Sequence, residues 1–211
     1  MSVLVKICGI TNLADAQMAA EAGADLLGFM FYDQSKRFIT HDNAGDIIRN
    51  LPPWVVKVGV FVDPTAEDVM HAMTACGISM LQFHGEELPE FCTQFGLMSI
   101  KAMPIRDDAS IEALRAYHTD AWLLDSYVPG RKGGTGETFN WDLAVKARKL
   151  GRPIFLAGGL NPGNVADAVT QVRPYGVDVS SGVESAPGKK DPKKVRDFIS
   201  AAKAAAREIA G

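Results

Sequence analysis

The sequence predicts a single-domain α/β protein, a (β/α)8 or TIM barrel, and three observations carry that reading. Eight short apolar runs rich in β-branched residues recur along the 211 residues, with helical patterns between them. Each run is almost continuously hydrophobic, as parallel strands covered on both faces are. The fingerprint GxGxxG, which would favour an open doubly wound sheet, does not follow the first run, where the chain reads CGITNL. The length lies at the short end for eight β/α units, so insertions are few. No low-complexity stretch or linker divides residues 1–211, which are read as one domain.

Strands are predicted at 3–8 (VLVKIC), 26–31 (LLGFMF), 54–62 (WVVKVGVFV), 79–84 (SMLQFH), 98–103 (MSIKAM), 121–125 (AWLLD), 153–157 (PIFLA) and 177–181 (VDVSS). Helix starts are expected where capping chemistry occurs: Asn12 with Asp15, Thr65 with Asp68, Asn161 before Pro162, and Asp191 before Pro192. Gly23 and Gly77 read as helix stops. The closing AAKAAAREIAG is the tail of the last helix.

Composition narrows the partners. With 22 basic against 25 acidic side chains and a formal net charge of -3, the chain has no global basic field to hold a polyphosphate backbone, so nucleic acid is not expected as a partner. Any anion must be held locally. No run reaches the roughly 18 apolar residues of a membrane span, and no basic leader precedes an apolar run, so a cytoplasmic protein without a membrane partner is expected. Cys8, Cys76 and Cys92 are an odd count without CxxC spacing, which indicates neither a disulfide framework nor a zinc cluster. Cys76 and Cys92 read as structural residues on helices. No second histidine stands at ligand spacing from His84, so no metal site is expected. The outer helices of a barrel suit a monomer or a homodimer.

Polar intrusions in the apolar runs point to the site. Alternate strand residues face the barrel interior, and barrel active sites gather at the carboxyl ends of the strands. That test picks out Lys6 and Cys8 on the first strand, Gln82 and His84 on the fourth, Lys101 on the fifth, Asp125 on the sixth, and Asp178 with Ser180 on the eighth. Burying an unpaired charge costs several kcal/mol, roughly, so such groups are paired, wet or useful. Two readings stand for several of them. Cys8 is a small buried hydrophobe or a reactive thiol, Lys6 a partner for Asp178 or a modulator of Cys8, and His84 a filler of the barrel mouth or a ligand-facing group. Asp125 ends an apolar run before a flexible loop, a context that favours function.

Two glycine-bearing segments extend the inference. LAGGLNPGN follows the seventh strand and DVSSGVE the eighth, and phosphate commonly sits between those two loops in this fold. Gly158, Gly159, Ser180, Ser181 and Gly182 are therefore candidate phosphate contacts, and a phosphorylated small-molecule substrate is expected. GRKGGTGETFNW, which contains Gly134, does not match GxxxxGK[ST], because Lys132 precedes its glycines; it reads as a lid. In FYDQSKRF, Arg37 either grips a carboxylate through parallel hydrogen bonds or is a solvated surface arginine.

Taken in order, KICGIT, GFMFYDQSKR, VGVFV, LQFHG, LLD with GGTGETFNW, LAGGLNPGNV, and DVSSGVE with GKKD resemble the phosphoribosylanthranilate isomerase family through essentially the whole chain. The resemblance implies a cofactor-free barrel enzyme of tryptophan biosynthesis that performs an Amadori rearrangement. It implies Cys8 as general base and Asp125 as general acid, so that Cys8 must act as a thiolate, favoured by nearby Lys6, and Asp125 must carry a proton when substrate is bound. It also implies Arg37 on the anthranilate carboxylate, the Gly158/Gly159 and Ser180/Ser181/Gly182 segments on the phosphate, and His84 and Asp178 beside the sugar. Lys36 stands where the family typically has a proline. A related isomerase of histidine biosynthesis would be expected to carry aspartate where Cys8 stands, and a ribulose-phosphate epimerase would need strand-end histidines for a metal. A catalytically silent phosphate-binding barrel is the alternative outside enzymes.

Overall fold

A computed structural model describes residues 2–126 and 140–210. Eight parallel strands close into a barrel in sequential order. They are β1 (Leu4–Cys8), β2 (Leu26–Met30), β3 (Val56–Phe61), β4 (Met80–Phe83), β5 (Met98–Ile105), β6 (Ala121–Ser126), β7 (Ile154–Leu156) and β8 (Gly176–Val179). All eight lie within two residues of their predicted positions. The helices are α1 (Leu13–Glu21), α2 (His41–Arg49), α3 (Ala66–Cys76), α4 (Asp108–Ala113), α5 (Trp141–Arg148), α6 (Val165–Val172) and α7 (Pro192–Ala210). After β4 the helix is reduced to a 3₁₀ turn at Phe91–Thr93, which holds Cys92.

Strand alternation divides the apolar side chains into two cores. Val58, Val60, Met80, Ile100, Leu123 and Phe155 fill the barrel interior, and Val5, Ile7, Leu27, Phe83 and Leu156 face the helices. The interior is a packed plug, so the mouth above it is a floor on which polar groups can be held. The alanines of α7 keep its buried side thin: Ala202, Ala205 and Ala206 pack beside Val195 and Phe198, and the helix lies against α1, α6 and β1.

Capping follows sequence chemistry with one correction. Asn12 accepts from the Asp15 N–H, Thr65 and Asp68 form a reciprocal capping box, and Asp191 accepts from the N–H groups of Lys193 and Lys194. Gly77 ends α3 in the left-handed conformation at φ 74°. Asn161 does not start α6. It opens a turn in which its Oδ1 accepts from Gly163 N–H, while Asn164 Oδ1 accepts from Asn161 N–H, and the helix begins at Val165.

Lys101 also corrects the sequence reading. Gln82 pairs with Ile100, and Phe83 with Lys101, so Lys101 shares the outward parity of Phe83. Its ammonium donates to Glu87 Oε2 at 2.7 Å and the Gly85 carbonyl at 2.6 Å, 5.4 Å from the Tyr117 ring centroid. Glu87 Oε1 in turn accepts from the Asp63 and Gly85 N–H groups at 3.0 Å each. The pair pins the loops after β3 and β4 to the outside of the wall. Because both side chains are buried, removing one leaves an uncompensated charge. Glu87→Ala is expected to cost about 3–5 kcal/mol in urea unfolding, and Glu87→Leu with Lys101→Met much less; a loss below about 1 kcal/mol for the single variant would put this pair among the weak surface ones.

Candidate active site

The first and last strands build the centre of the mouth. Closure pairs Lys6 with Asp178 across the β1/β8 seam, and the Lys6 ammonium, fully buried, donates to Asp178 Oδ1 at 2.8 Å. Two residues on, the same parity brings Cys8 to the strand end, 6% exposed, with its sulfur and the Lys6 ammonium both against Gly28 of β2. Burial lowers the pKa of the Lys6 ammonium, but Asp178 and then Cys8 raise it more, and the net shift is upward. For Cys8 burial pushes the thiol up, Lys6 pulls it down, and Asp178 pushes it up again; the net shift is upward. The expected effect of Lys6 has the right sign and is outweighed by desolvation.

Across the mouth, Asp125 ends the inward face of β6. His84 Nε2 lies 3.3 Å from Asp125 Oδ2, and Gln82 Nε2 lies 3.2 Å from His84 Nδ1. His84 thus stands between the Gln82 amide and the Asp125 carboxyl. Gln82 is thereby a residue of the site through His84, though the sequence suggests no role for it beyond an inward polar group.

The loops after β7 and β8 meet beside the seam. Gly158 and Gly159 adopt positive φ, 79° and 67°, and Ser181 and Gly182 lie in a 3₁₀ turn at Ser181–Val183. Gly182 sits so close to the first loop that a Cβ there would overlap the Leu160 carbonyl oxygen. The Ser180 hydroxyl is buried and has no hydrogen-bond partner among the described residues. Peptide groups free of side chains and an unpaired hydroxyl suit a phosphoryl group.

Arg37 closes the site on the β2 side. The Ser35 hydroxyl accepts from its backbone N–H at 3.1 Å, and Phe38 N–H returns to the Ser35 carbonyl, which fixes the turn that carries Lys36 in place of a proline. The guanidinium makes two bonds of 2.7 Å to Glu184. Glu184 and Lys190 stand on β9 (Glu184–Ala186) and β10 (Lys189–Lys190), an antiparallel pair between β8 and α7. Sequence reasoning gave neither a role. Lys190 lies in a KKD run that looks like a solvated surface, yet its ammonium is fully buried. Gly134 lies outside the described residues. No group of three or more His, Cys, Asp or Glu side chains suited to a metal occurs among the described residues, and none of their helices is long and apolar enough to cross a membrane.

The seam has no spare room. A Cβ on Gly28 of β2 would come within 2.8 Å of Cys8 Sγ and 3.1 Å of Lys6 Nζ. Gly28→Ala is therefore expected to displace the thiol and lower kcat/KM by on the order of ten- to a hundredfold, with the circular dichroism of the barrel retained. Unchanged turnover in that variant would show that the sulfur's position is not critical.

Comparison with known proteins agrees with this geometry. Residues 5–201 match the family model described as N-(5'phosphoribosyl)anthranilate (PRA) isomerase. An N-(5'-phosphoribosyl)anthranilate isomerase of Pelobacter propionicus is 51% identical over 201 residues, 95% of this chain and 96% of that protein. The crystal structure of phosphoribosyl anthranilate isomerase from Thermotoga maritima superposes with a TM-score of 0.90 at 43% identity, covering 96% of this chain and 99% of that one. A phosphoribosyl anthranilate isomerase in complex with reduced 1-(o-carboxyphenylamino)-1-deoxyribulose 5-phosphate gives a TM-score of 0.87 at 42% identity over the same shares. A barrel closed at a Lys6–Asp178 seam, with Cys8 and Asp125 at its mouth and this similarity along nearly its whole length, belongs to the phosphoribosylanthranilate isomerase family.

Proposed function

We propose that this chain converts N-(5-phosphoribosyl)anthranilate to 1-(2-carboxyphenylamino)-1-deoxyribulose 5-phosphate, the Amadori rearrangement of tryptophan biosynthesis, with Cys8 as general base and Asp125 as general acid. The observation that carries this reading is the placement of one thiol and one carboxyl at the ends of β1 and β6, at the same mouth as the glycine loops and Arg37. The reaction is an internal redistribution of electrons, so one acid and one base suffice. Asp125 protonates the ribose ring oxygen as the bond from that oxygen to C1 breaks, and the anilino nitrogen lone pair forms the Schiff base. Cys8 takes the C2 proton, and that bonding pair moves to give the enolamine. Ketonisation adds a proton at C1 and releases one from the C2 hydroxyl, which balances the two transfers.

Substrate contacts follow the same layout. The Gly158/Gly159 and Ser180/Ser181/Gly182 segments receive the phosphate, Arg37 the anthranilate carboxylate, and His84 and Asp178 flank the sugar; Gly134 is assigned to the substrate by resemblance alone. Every residue in this scheme comes from one chain, so a monomer and a homodimer accommodate it equally. A soluble cytoplasmic location suits a protein acting on a phosphorylated metabolite.

Two measurements test the scheme. Decay of the fluorescence of phosphoribosylanthranilate made in situ is expected with the native protein and is expected to fall at least about a hundredfold in folded Cys8→Ser and Asp125→Asn. An inert native protein would leave a phosphate-binding barrel as the reading. Because the Cys8 thiol is raised, its proton is bound in the free enzyme at neutral pH, so the thiolate absorbance that Cys8→Ser removes is expected to develop only above about 8.5, the ordinary thiol value. Cys8 thiolate absorbance already present at neutral pH would contradict a burial-dominated base.

A further inference from the structure

We infer that Glu184, backed by Lys190, is a positioning residue that holds Arg37 by one edge and presents its other edge to the substrate carboxylate. The inference rests on the isomerase reading above and adds to it the device that orients the carboxylate clamp.

Donor accounting supports it. A guanidinium has five N–H donors. Glu184 takes the Nε donor at Oε1 and one Nη2 donor at Oε2, both at 2.7 Å, which leaves the two Nη1 donors and the second Nη2 donor on the far edge. That edge is itself a fork matched to a carboxylate. The stem is held as well. A Cβ on Gly9 would lie 2.5 Å from Arg37 Cδ and 3.2 Å from Cγ, so the arginine stem lies directly over the residue after the catalytic cysteine. An arginine fixed at stem and inner edge loses little rotamer freedom on binding.

Glu184 is anchored from behind. Its side chain is 5% exposed, and Oε1 also accepts from Lys190 Nζ at 3.0 Å and Gly188 N–H at 3.3 Å. Lys190 Nζ donates further to the carbonyls of Cys8 at 2.6 Å and Ser180 at 3.3 Å. One ammonium thus joins the main chain of the base, the main chain of the phosphate segment and the carboxylate behind the clamp. Burial raises the Glu184 carboxyl, but the Arg37 bonds and Lys190 lower it further, so it is held ionised below its ordinary range.

The test is steady-state turnover by native protein, Glu184→Gln, Arg37→Ala and the double variant. Glu184→Gln is expected to raise KM about tenfold with kcat changed less than about threefold, because the lost contact orients binding and touches no reacting atom. Arg37→Ala is expected to raise KM at least as much, and adding Glu184→Gln to it to have no further effect. Additive losses, an unchanged KM in Glu184→Gln or in Arg37→Ala, or a fall in kcat alone would overturn the inference. If Glu184→Gln does not fold, Glu184→Asp, which keeps the charge beside Lys190 but withdraws it by one methylene, is read in the same way. Failure of both to fold would make Glu184 structural and end the proposal. An inactive native protein would instead remove the isomerase reading itself.

Discussion

Closure of the barrel between β1 and β8 is the constraint on which the rest of this structure depends. The parallel register sets Lys6 opposite Asp178, and their ion pair holds a buried cation beside Cys8. The pairing offsets the cost of burying the Lys6 charge, since an unpaired buried ion costs several kcal/mol, roughly. A second buried cation, Lys190, crosses the same seam higher up by bonding the carbonyls of Cys8 and Ser180. The strand ends that carry Cys8 and Ser180 are thus joined twice, once through the Lys6–Asp178 side chains and once by Lys190 bonding both main-chain carbonyls.

The seam also decides how Cys8 holds its proton. An adjacent ammonium is the usual way to make a thiolate, and Lys6 acts in that direction. Here the cation is shared with Asp178, whose negative charge faces the same sulfur, and burial opposes the thiolate throughout. Desolvation wins. The thiol of the free protein keeps its proton at neutral pH, and a thiol raised in this way is the stronger proton acceptor once it ionises. Cys76 and Cys92, pushed up to about 11 and about 12 by burial, lie at the end of α3 and in the 3₁₀ turn after β4, away from the seam.

Much of this was legible in the sequence because hydrophobic runs and turn chemistry are local. VLVKIC, AWLLD and the two glycine segments announced strand ends with their polar residues in place. What the sequence could not supply was register and pairing. Lys101 looks like Lys6, a lysine inside an apolar strand, and only the alignment of Phe83 with Lys101 turns it to the outer wall. Asn161 carries the right cap residue before a proline, but a turn through Gly163 spends it, and Asn164 takes the next position. Glu184 and Lys190 were hidden for a different reason: Glu184 is bonded to Arg37, 147 positions earlier in the chain, and Lys190 to the Cys8 carbonyl, 182 positions earlier, and no local pattern records such contacts.

The central claim is that Cys8 is governed by a sulfur, an ammonium and a carboxylate acting together at the seam. Titration of thiolate absorbance, with Cys8→Ser as the blank for the other two thiols, tests it most directly when native protein is compared with Asp178→Asn. Removing the carboxylate deletes a charge that raises the thiol and frees Lys6 for it, so the account predicts that Cys8 ionises at lower pH in Asp178→Asn than in the native protein. An unchanged or higher midpoint in that variant would contradict the account.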